Sequence, residues 1–344
     1  MIRNALLLCA ALLTAITFAC SAPPSATPPP LPPFYRAMAA ACTFDATKVV
    51  AKLTPGFDAT AYGSCGNQPC LASPPIPDNS APPLSSAYAT TIQQVFDHSS
   101  SNFQLEMCKL DHIYIDTDPQ SVNTSPWGMR ELARNGIRHI GIPERILQSF
   151  SDYSSLETAI LNGLLNTSWS SVVAAAPDTP DAPEMMMAAI LAHEMGHIVW
   201  WVRPVPPGIC QGDDFFLTWR SVIRSPAHGF HKFGVEQPGN MPIERYKYSQ
   251  VKSDVQSGNL TRLATIYADG NWPSLFGFVA PDEDFIETYK LVTLTSRTIS
   301  PLTNLWVTIP TSNPKSIDMI SVLNDPTTNL FAKAQWISSC VKAP

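Results

Sequence analysis

The sequence predicts an α+β fold, because strand-like and helix-like patterns of apolar residues both occur along the chain. Residues 112–116 (His-Ile-Tyr-Ile-Asp) alternate in the manner of a strand. A second strand is predicted at 137–142, where Gly136 and Pro143 bound an apolar run. We therefore expect a sheet in the N-terminal part of the folded chain.

Helical spacing of apolar residues precedes and follows these strands. The predicted helices lie at 84–98, 154–166, 260–268, 283–294 and 328–341, with a short helix or turn at 143–147. The helices after residue 260 predict a C-terminal lobe that is mostly helical.

The longest predicted helix covers residues 182–203. Strong helix formers fill its first half, and Asp181 followed by Glu184 is typical of a capping box. Pro204 and the prolines after it end the helix.

This helix contains His193-Glu194-Met195-Gly196-His197. Residues four apart share one helical face, so the two imidazoles point to one place and form half of a zinc site. The intervening glutamate is suited to take a proton from a metal-bound water. The alternative is a core helix that happens to carry these residues, but a buried, unpaired Glu194 would be costly. The sequence therefore predicts one bound Zn²⁺.

A catalytic zinc needs a third protein ligand. The metzincin extension is excluded, because Trp200 and Arg203 occupy its glycine and histidine positions. Farther along the chain, Glu283 and Glu287 lie one helical turn apart, and Asp284 lies between them. The alternative explanation of these acids is the preference of a helix N-terminus for negative charge.

The two motifs together resemble gluzincin-type metallopeptidases, which include thermolysin-like enzymes and the catalytic domain of anthrax lethal factor. The resemblance implies a zincin-like fold with an N-terminal mixed sheet, in which His193, His197 and Glu283 are the zinc ligands. It also implies that Glu194 is the general base and that Glu287 orients a zinc-bound histidine through its free ring nitrogen. Glu283 follows the second histidine by 86 positions (283 − 197), which exceeds the spacing in thermolysin-like enzymes.

Asp284 and Glu287 are the alternative third ligands. The resemblance further implies a cleft between an N-terminal lobe, residues 84–203, and a C-terminal helical lobe, residues 282–344. An extended substrate would pair with the edge strand of the sheet, for which 137–142 is the candidate.

The predicted insertion at 204–281 contains the candidate donors for the oxyanion that develops during peptide hydrolysis. These are Tyr246, Tyr248, Tyr267, His228 and His231. Each has a surface or packing role as its alternative. The two histidines are three residues apart and have the spacing of an accessory metal pair, but a solvated pair fits their Gly- and Pro-containing loop better.

The N-terminus predicts export. Residues 1–20 combine Arg3, an apolar run and small residues, as a signal peptide does. Thr17-Phe18-Ala19-Cys20 is similar to a bacterial lipoprotein box, so a lipidated Cys20 and ordinary cleavage just after it are both open. Residues 21–35 are a Pro-rich tether, with seven prolines in 21–33.

Six cysteines remain in the predicted folded part, residues 36–344: Cys42, Cys65, Cys70, Cys108, Cys210 and Cys340. An even number in an exported chain predicts up to three disulfides, of undetermined pairing. Zinc binding by these thiols is the weaker alternative. Three of the six lie in 36–83, which is expected to be an irregular, disulfide-stapled segment.

The net charge of −6 comes without a basic stripe, so nucleic-acid binding is not expected. The predicted function is a secreted, periplasmic or lipid-anchored zinc endopeptidase that acts on proteins or peptides. Two alternatives remain. One is a zinc hydrolase of another amide, such as cell-wall peptide, and the other is a non-catalytic envelope binding or scaffold protein with a zinc site.

Overall fold

The computed structural model describes residues 42–63, 74–131, 137–176, 183–202, 243–279 and 281–340. The described chain has the predicted α+β composition. Outside these residues lie the predicted signal peptide and tether, the capping residue Asp181, and the following side chains: Cys20, Cys65, Cys70, Cys210, Tyr246, His228, His231 and Cys340.

The larger sheet has four strands: β1 (Val50–Lys52), β2 (His112–Asp116), β3 (Trp127–Glu131) and β4 (Ile137–Pro143). Their order is β1-β2-β4-β3. The first three strands in this order are parallel, and β3 is antiparallel to β4. The predicted strands at 112–116 and 137–142 are thus confirmed, and the sheet is mixed.

The prediction that 137–142 is the edge strand is wrong, because β4 pairs with β2 on one side and β3 on the other. Its residues after Ile137 are buried, as expected of a strand covered on both faces. Strand order depends on pairing between distant segments, which alternation within one segment does not encode. The edge strand on this side of the described sheet is β3.

Thirteen helices are described. They are α1 (Ala46–Val49), α2 (Ala59–Gly63), α3 (Ser86–Asp97), α4 (Ser101–Met107), α5 (Glu144–Ser149), α6 (Tyr153–Leu165), α7 (Pro183–Val202), α8 (Ile243–Gln256), α9 (Thr261–Ala268), α10 (Leu275–Val279), α11 (Pro281–Thr295), α12 (Met319–Asn324) and α13 (Asn329–Cys340). Every helix predicted from the sequence is among them, with ends shifted by a few residues. Within the part of the chain that the structure describes, no helix combines the length and apolar character that a membrane span requires.

The segment at 36–83 is not wholly irregular, since it contains α1, α2 and β1. A disulfide joins Cys42 to Cys108, and their Cα atoms are 6.0 Å apart. Because Cys108 follows α4, this bridge ties the start of the described chain to the helix that precedes β2.

A second, antiparallel sheet contains β5 (Val173–Ala176), β6 (Asn304–Ile309) and β7 (Lys315–Asp318). The prediction of a mostly helical C-terminal lobe did not include strands β6 and β7, which pair antiparallel with each other. In β6 the buried residues alternate, with Leu305, Val307 and Ile309 facing the core.

The core centres on α7, which has buried residues at every position from Met185 to Ala192. A helix that is apolar on all sides must be surrounded by other elements. Accordingly, α7 packs against α11, α3 and β3. This packing fixes the helix that carries the two candidate histidine ligands against the helix that carries the two glutamates.

Candidate metal centre

The two histidines of α7 face the same place. His193 and His197 are one helical turn apart, and their ring centroids are separated by 5.1 Å at an interplanar angle of 76°. The Phe276 ring stacks on the face of the His193 ring, with 5.7 Å between the two centroids, and restrains its orientation. The histidines therefore present their ring nitrogens to a shared space.

Helix α11 brings a carboxylate to this space. Glu283 Oε2 lies 3.8 Å from His193 Nε2, and Glu283 Oε1 lies 3.8 Å from His197 Nε2. The candidate ligand atoms of the three residues all lie within 4.8 Å of one another. The side chain of His197 is 28% exposed, so the cluster is open to solvent on one side.

A close approach of the two helices allows this convergence. A Cβ atom at Gly196 would lie 3.2 Å from Ile286 Cα and 3.0 Å from its Cγ2. Glycine at position 196 therefore lets the backbones of α7 and α11 come near each other, and Glu283 reaches the imidazoles across the short gap.

Glu287 contacts the other nitrogen of the first histidine. Its Oε1 lies 2.8 Å from His193 Nδ1. When the ring is neutral and donates from Nδ1, its Nε2 lone pair points towards Glu283. Burial lowers the pKa of His193, but the hydrogen bond to Glu287 and the nearby negative charges outweigh this and raise it to about 9.

Two further residues hold Glu287. Ser274 Oγ donates to Glu287 Oε2 over 2.7 Å, and Lys290 Nζ lies 2.8 Å from Oε1 and 3.0 Å from Oε2. Lys290 also binds Glu157 Oε1 at 2.7 Å. Burial acts to raise the pKa of Glu287, yet Lys290 and His193 keep it well below its usual range. Sequence reasoning missed Ser274, Lys290 and Glu157, although Lys290 follows Glu287 by three residues on one helical face.

Glu194, on α7, is buried where this helix packs against the edge strand β3, and 4% of its surface is exposed. Burial raises its pKa to about 7, against the opposing effects of the His193 charge and a hydrogen bond from the Gly128 amide. A carboxylate with a pKa near neutrality is suited to accept a proton and return it. Burial and the His193 charge lower the pKa of His197 to about 3, so this ring is neutral over the physiological range.

The alternative third ligands have other partners. Asp284 Oδ2 forms a buried ion pair with Lys333 Nζ at 2.6 Å, across to α13. Glu287 is engaged with His193 through the nitrogen that faces away from Glu283. Of the three candidate third ligands, Glu283, Asp284 and Glu287, Glu283 alone joins the two histidines in the metal-ligand cluster found among the described residues.

Two of the candidate oxyanion donors are engaged elsewhere. The Tyr248 hydroxyl donates to the Leu164 carbonyl, and the buried Tyr267 hydroxyl accepts from the Leu275 amide at 3.3 Å. Both tyrosines therefore have packing roles in this structure. The side chains of the other candidates, Tyr246, His228 and His231, lie outside the described residues.

The chain matches no protein-family model, no curated protein and no solved structure. The evidence for a metal is therefore the donor set itself. Two imidazole nitrogens and one carboxylate oxygen are a ligand set that catalytic zinc uses, with one position left for water or substrate. The hydrogen bond from the His193 ring to a carboxylate is the support that such ligands commonly have. The residues present thus fit one zinc ion.

Proposed function

We propose that the protein is a zinc-dependent endopeptidase with a zincin-like, gluzincin-type catalytic domain. The observation that carries the proposal is the convergence of His193, His197 and Glu283 beside the buried carboxylate of Glu194. A purely structural zinc site gains nothing from a base beside the metal and normally closes its fourth position. The solvent-open side of the cluster supports catalysis over such a role.

A zinc ion bound here would supply Lewis acidity, lowering the pKa of water and polarising a carbonyl group. Glu194 would take a proton from the attacking water while the water oxygen bonds to the carbonyl carbon. Glu194 would then give this proton to the amide nitrogen as the C–N bond breaks, which yields a carboxylic acid and an amine. Burial supports both steps, because it holds the pKa of Glu194 at about 7.

The substrate strand would lie along β3. This strand is the sheet edge that packs against α7, and its Gly128 lies against the backbone of Glu194. An extended peptide added to this edge would form main-chain hydrogen bonds with β3 and pass beside the general base. The position of β3 thus supports an extended protein or peptide substrate.

The proposed location is outside the cytoplasm. The Cys42–Cys108 disulfide supports an oxidising compartment. The N-terminal pattern adds a signal peptide, a Pro-rich tether and a candidate lipidation site at Cys20. Under this proposal the catalytic domain works in the cell envelope or in the medium.

Cleavage of a peptide library by the zinc-loaded protein and by Glu194→Gln tests the proposal. We expect the variant to bind zinc as the parent does and to cleave about 10²- to 10⁴-fold more slowly, because it cannot accept the proton. Glu144→Gln is the matched control, since this carboxylate lies on α5 and binds Tyr88 Oη at 2.7 Å. Parental cleavage by Glu194→Gln would overturn the mechanism.

A further inference from the structure

Lys290 is a buried cation between two carboxylates. Its side chain is 4% exposed, and its ammonium group contacts Glu157 on α6 and Glu287 on α11. The ammonium also lies 5.9 Å from the centroid of the Tyr153 ring. A buried charge is costly without such partners. The ammonium group is therefore fixed in place from several sides.

The carboxylate of Glu287 is held at both oxygens. Oε1 meets His193 Nδ1 and Lys290, and Oε2 accepts from Ser274 and Lys290. These hydrogen bonds and ion pairs, which engage both oxygens, restrict the Glu287 carboxylate to one orientation. That orientation points Oε1 at the nitrogen of His193 opposite to the one that faces Glu283.

We propose that Lys290 is a positioning residue of the metal centre, an inference that rests on the proposed zinc site. Lys290 fixes Glu287, and Glu287 in turn fixes the orientation of the His193 ring. Its positive charge also allows Glu287 to remain buried close to the acidic Glu283 and Glu194. If Lys290 is removed, the buried carboxylates of Glu157 and Glu287 have no cation between them.

A purely structural role for Lys290 makes a different prediction. Replacing both members of a buried ion pair with apolar residues often restores stability, whereas removing one member is strongly destabilising. A structural role would therefore be repaired by the double variant Glu157→Leu with Lys290→Met. A positioning role would not be repaired, since Glu287 would still lack its cation.

The experiment measures Zn²⁺ affinity by competition with a chelating dye, the visible spectrum of the Co²⁺-loaded protein, and the melting temperature. We expect Lys290→Met and the double variant to bind Zn²⁺ about 10- to 100-fold more weakly than the parent, the usual effect of losing outer-shell support. Both should also show an altered Co²⁺ spectrum. The double variant keeps the test decisive if Lys290→Met does not fold.

Arg138→Met is the matched control, because Arg138 forms a buried pair with Glu106 at 2.7 Å between β4 and α4. It should lose stability and keep the parental Zn²⁺ affinity and Co²⁺ spectrum. Parental affinity in the folded double variant would overturn the positioning role and leave the zinc site standing. A parent that binds no Zn²⁺ would overturn both. A parent that binds Zn²⁺ but cleaves nothing would overturn the peptidase function alone, and the affinities would still decide the role of Lys290.

Discussion

Gly128 on the edge strand lies directly against Glu194 on α7, the helix of the two candidate histidine ligands. A Cβ atom at position 128 would be 2.2 Å from the Glu194 carbonyl oxygen and 2.8 Å from its carbonyl carbon. The Gly128 amide also acts to lower the pKa of the Glu194 carboxyl. One glycine thus allows the close contact between the strand and the helix beside the proposed base.

Gly128→Ala should therefore impair both folding and catalysis. The added methyl group meets backbone atoms that have no rotamer to change, so we expect the free energy of unfolding to fall by about 1–3 kcal/mol. Cleavage should fall further than zinc binding, because the atoms that the new methyl group meets belong to Glu194, the proposed base, and not to a ligand residue. Denaturant unfolding, zinc affinity and peptide cleavage measure these effects.

The control for this substitution is Gly163→Ala on α6, where a Cβ would have no atom within 4 Å. This change should raise the free energy of unfolding by about 0.4–1 kcal/mol, since alanine favours the helix. A Gly128→Ala protein with parental stability and cleavage would contradict the close strand–helix contact.

Glu283→Ala should remove most of the bound metal. It leaves two imidazoles on α7 without the carboxylate from α11. We expect zinc affinity to fall by roughly 100-fold or more, which exceeds the usual loss of affinity when a residue that only supports a ligand is removed. Metal analysis after dialysis against a weak chelator measures the effect. Asp254→Asn on α8, which removes the partner of the exposed Arg262, should leave zinc content unchanged.

Zinc affinity should increase with pH between about 6.5 and 9. The His193 ring of metal-stripped protein holds a proton up to a pKa of about 9, and zinc must displace it. We expect the apparent affinity to increase about tenfold per pH unit in this range, with one proton released per ion bound. Calorimetry in buffers of different ionisation enthalpy counts that proton, and an affinity independent of pH would contradict the prediction.

The stability of the metal-stripped protein should change in the opposite direction. Because folding raises the pKa of His193 from 6.5 to about 9, its contribution is complete below pH 6.5 and is lost as the pH rises through 9. Glu194, raised from 4.5 to about 7, likewise loses its contribution as the pH rises through 7. The zinc-induced increase in melting temperature should therefore grow from pH 6.5 to 9, which paired melts with zinc or chelator will measure.

Removing the Cys42–Cys108 disulfide should destabilise the fold without touching the metal centre. The two cysteines are 66 residues apart in sequence, and releasing a loop of this length costs about 2–4 kcal/mol. Denaturant unfolding of the Cys42→Ser and Cys108→Ser double variant measures the loss. Zinc affinity of the folded fraction should equal that of the parent, and a weakened metal site would show that the bridge does more than stabilise.

Local patterns were enough to predict α7 and α11. Helix formers and proline boundaries predicted 182–203 for a helix observed at Pro183–Val202. The structure has β3 with Gly128 at its second position, a residue that weakens a strand pattern, and this strand was missed. The position of β4 inside the sheet depends on pairing with β2 and β3, which no single segment reveals.

The candidate ligands were predictable because His193 and His197 are one helical turn apart, as are Glu283 and Glu287. The residues around Glu287 were not, because Ser274, which donates to Glu287, and Glu157, which pairs with Lys290, come from other parts of the chain and meet α11 only through packing. Lys290 was the exception. It lies three residues after Glu287, a spacing that brings two side chains together on one face of a helix.

The two middle positions of the HExxH signature are conventionally written as free, but in this chain the second of them leaves space for only the smallest residues. A side chain at Gly196 would act as a wedge against Ile286 and move the carboxylate-bearing helix outwards. The buried Met195 should accept apolar side chains of similar size, whereas large side chains should be excluded one residue later. A library randomised at both positions would recover active clones with several apolar residues at the first position and only the smallest residues at the second.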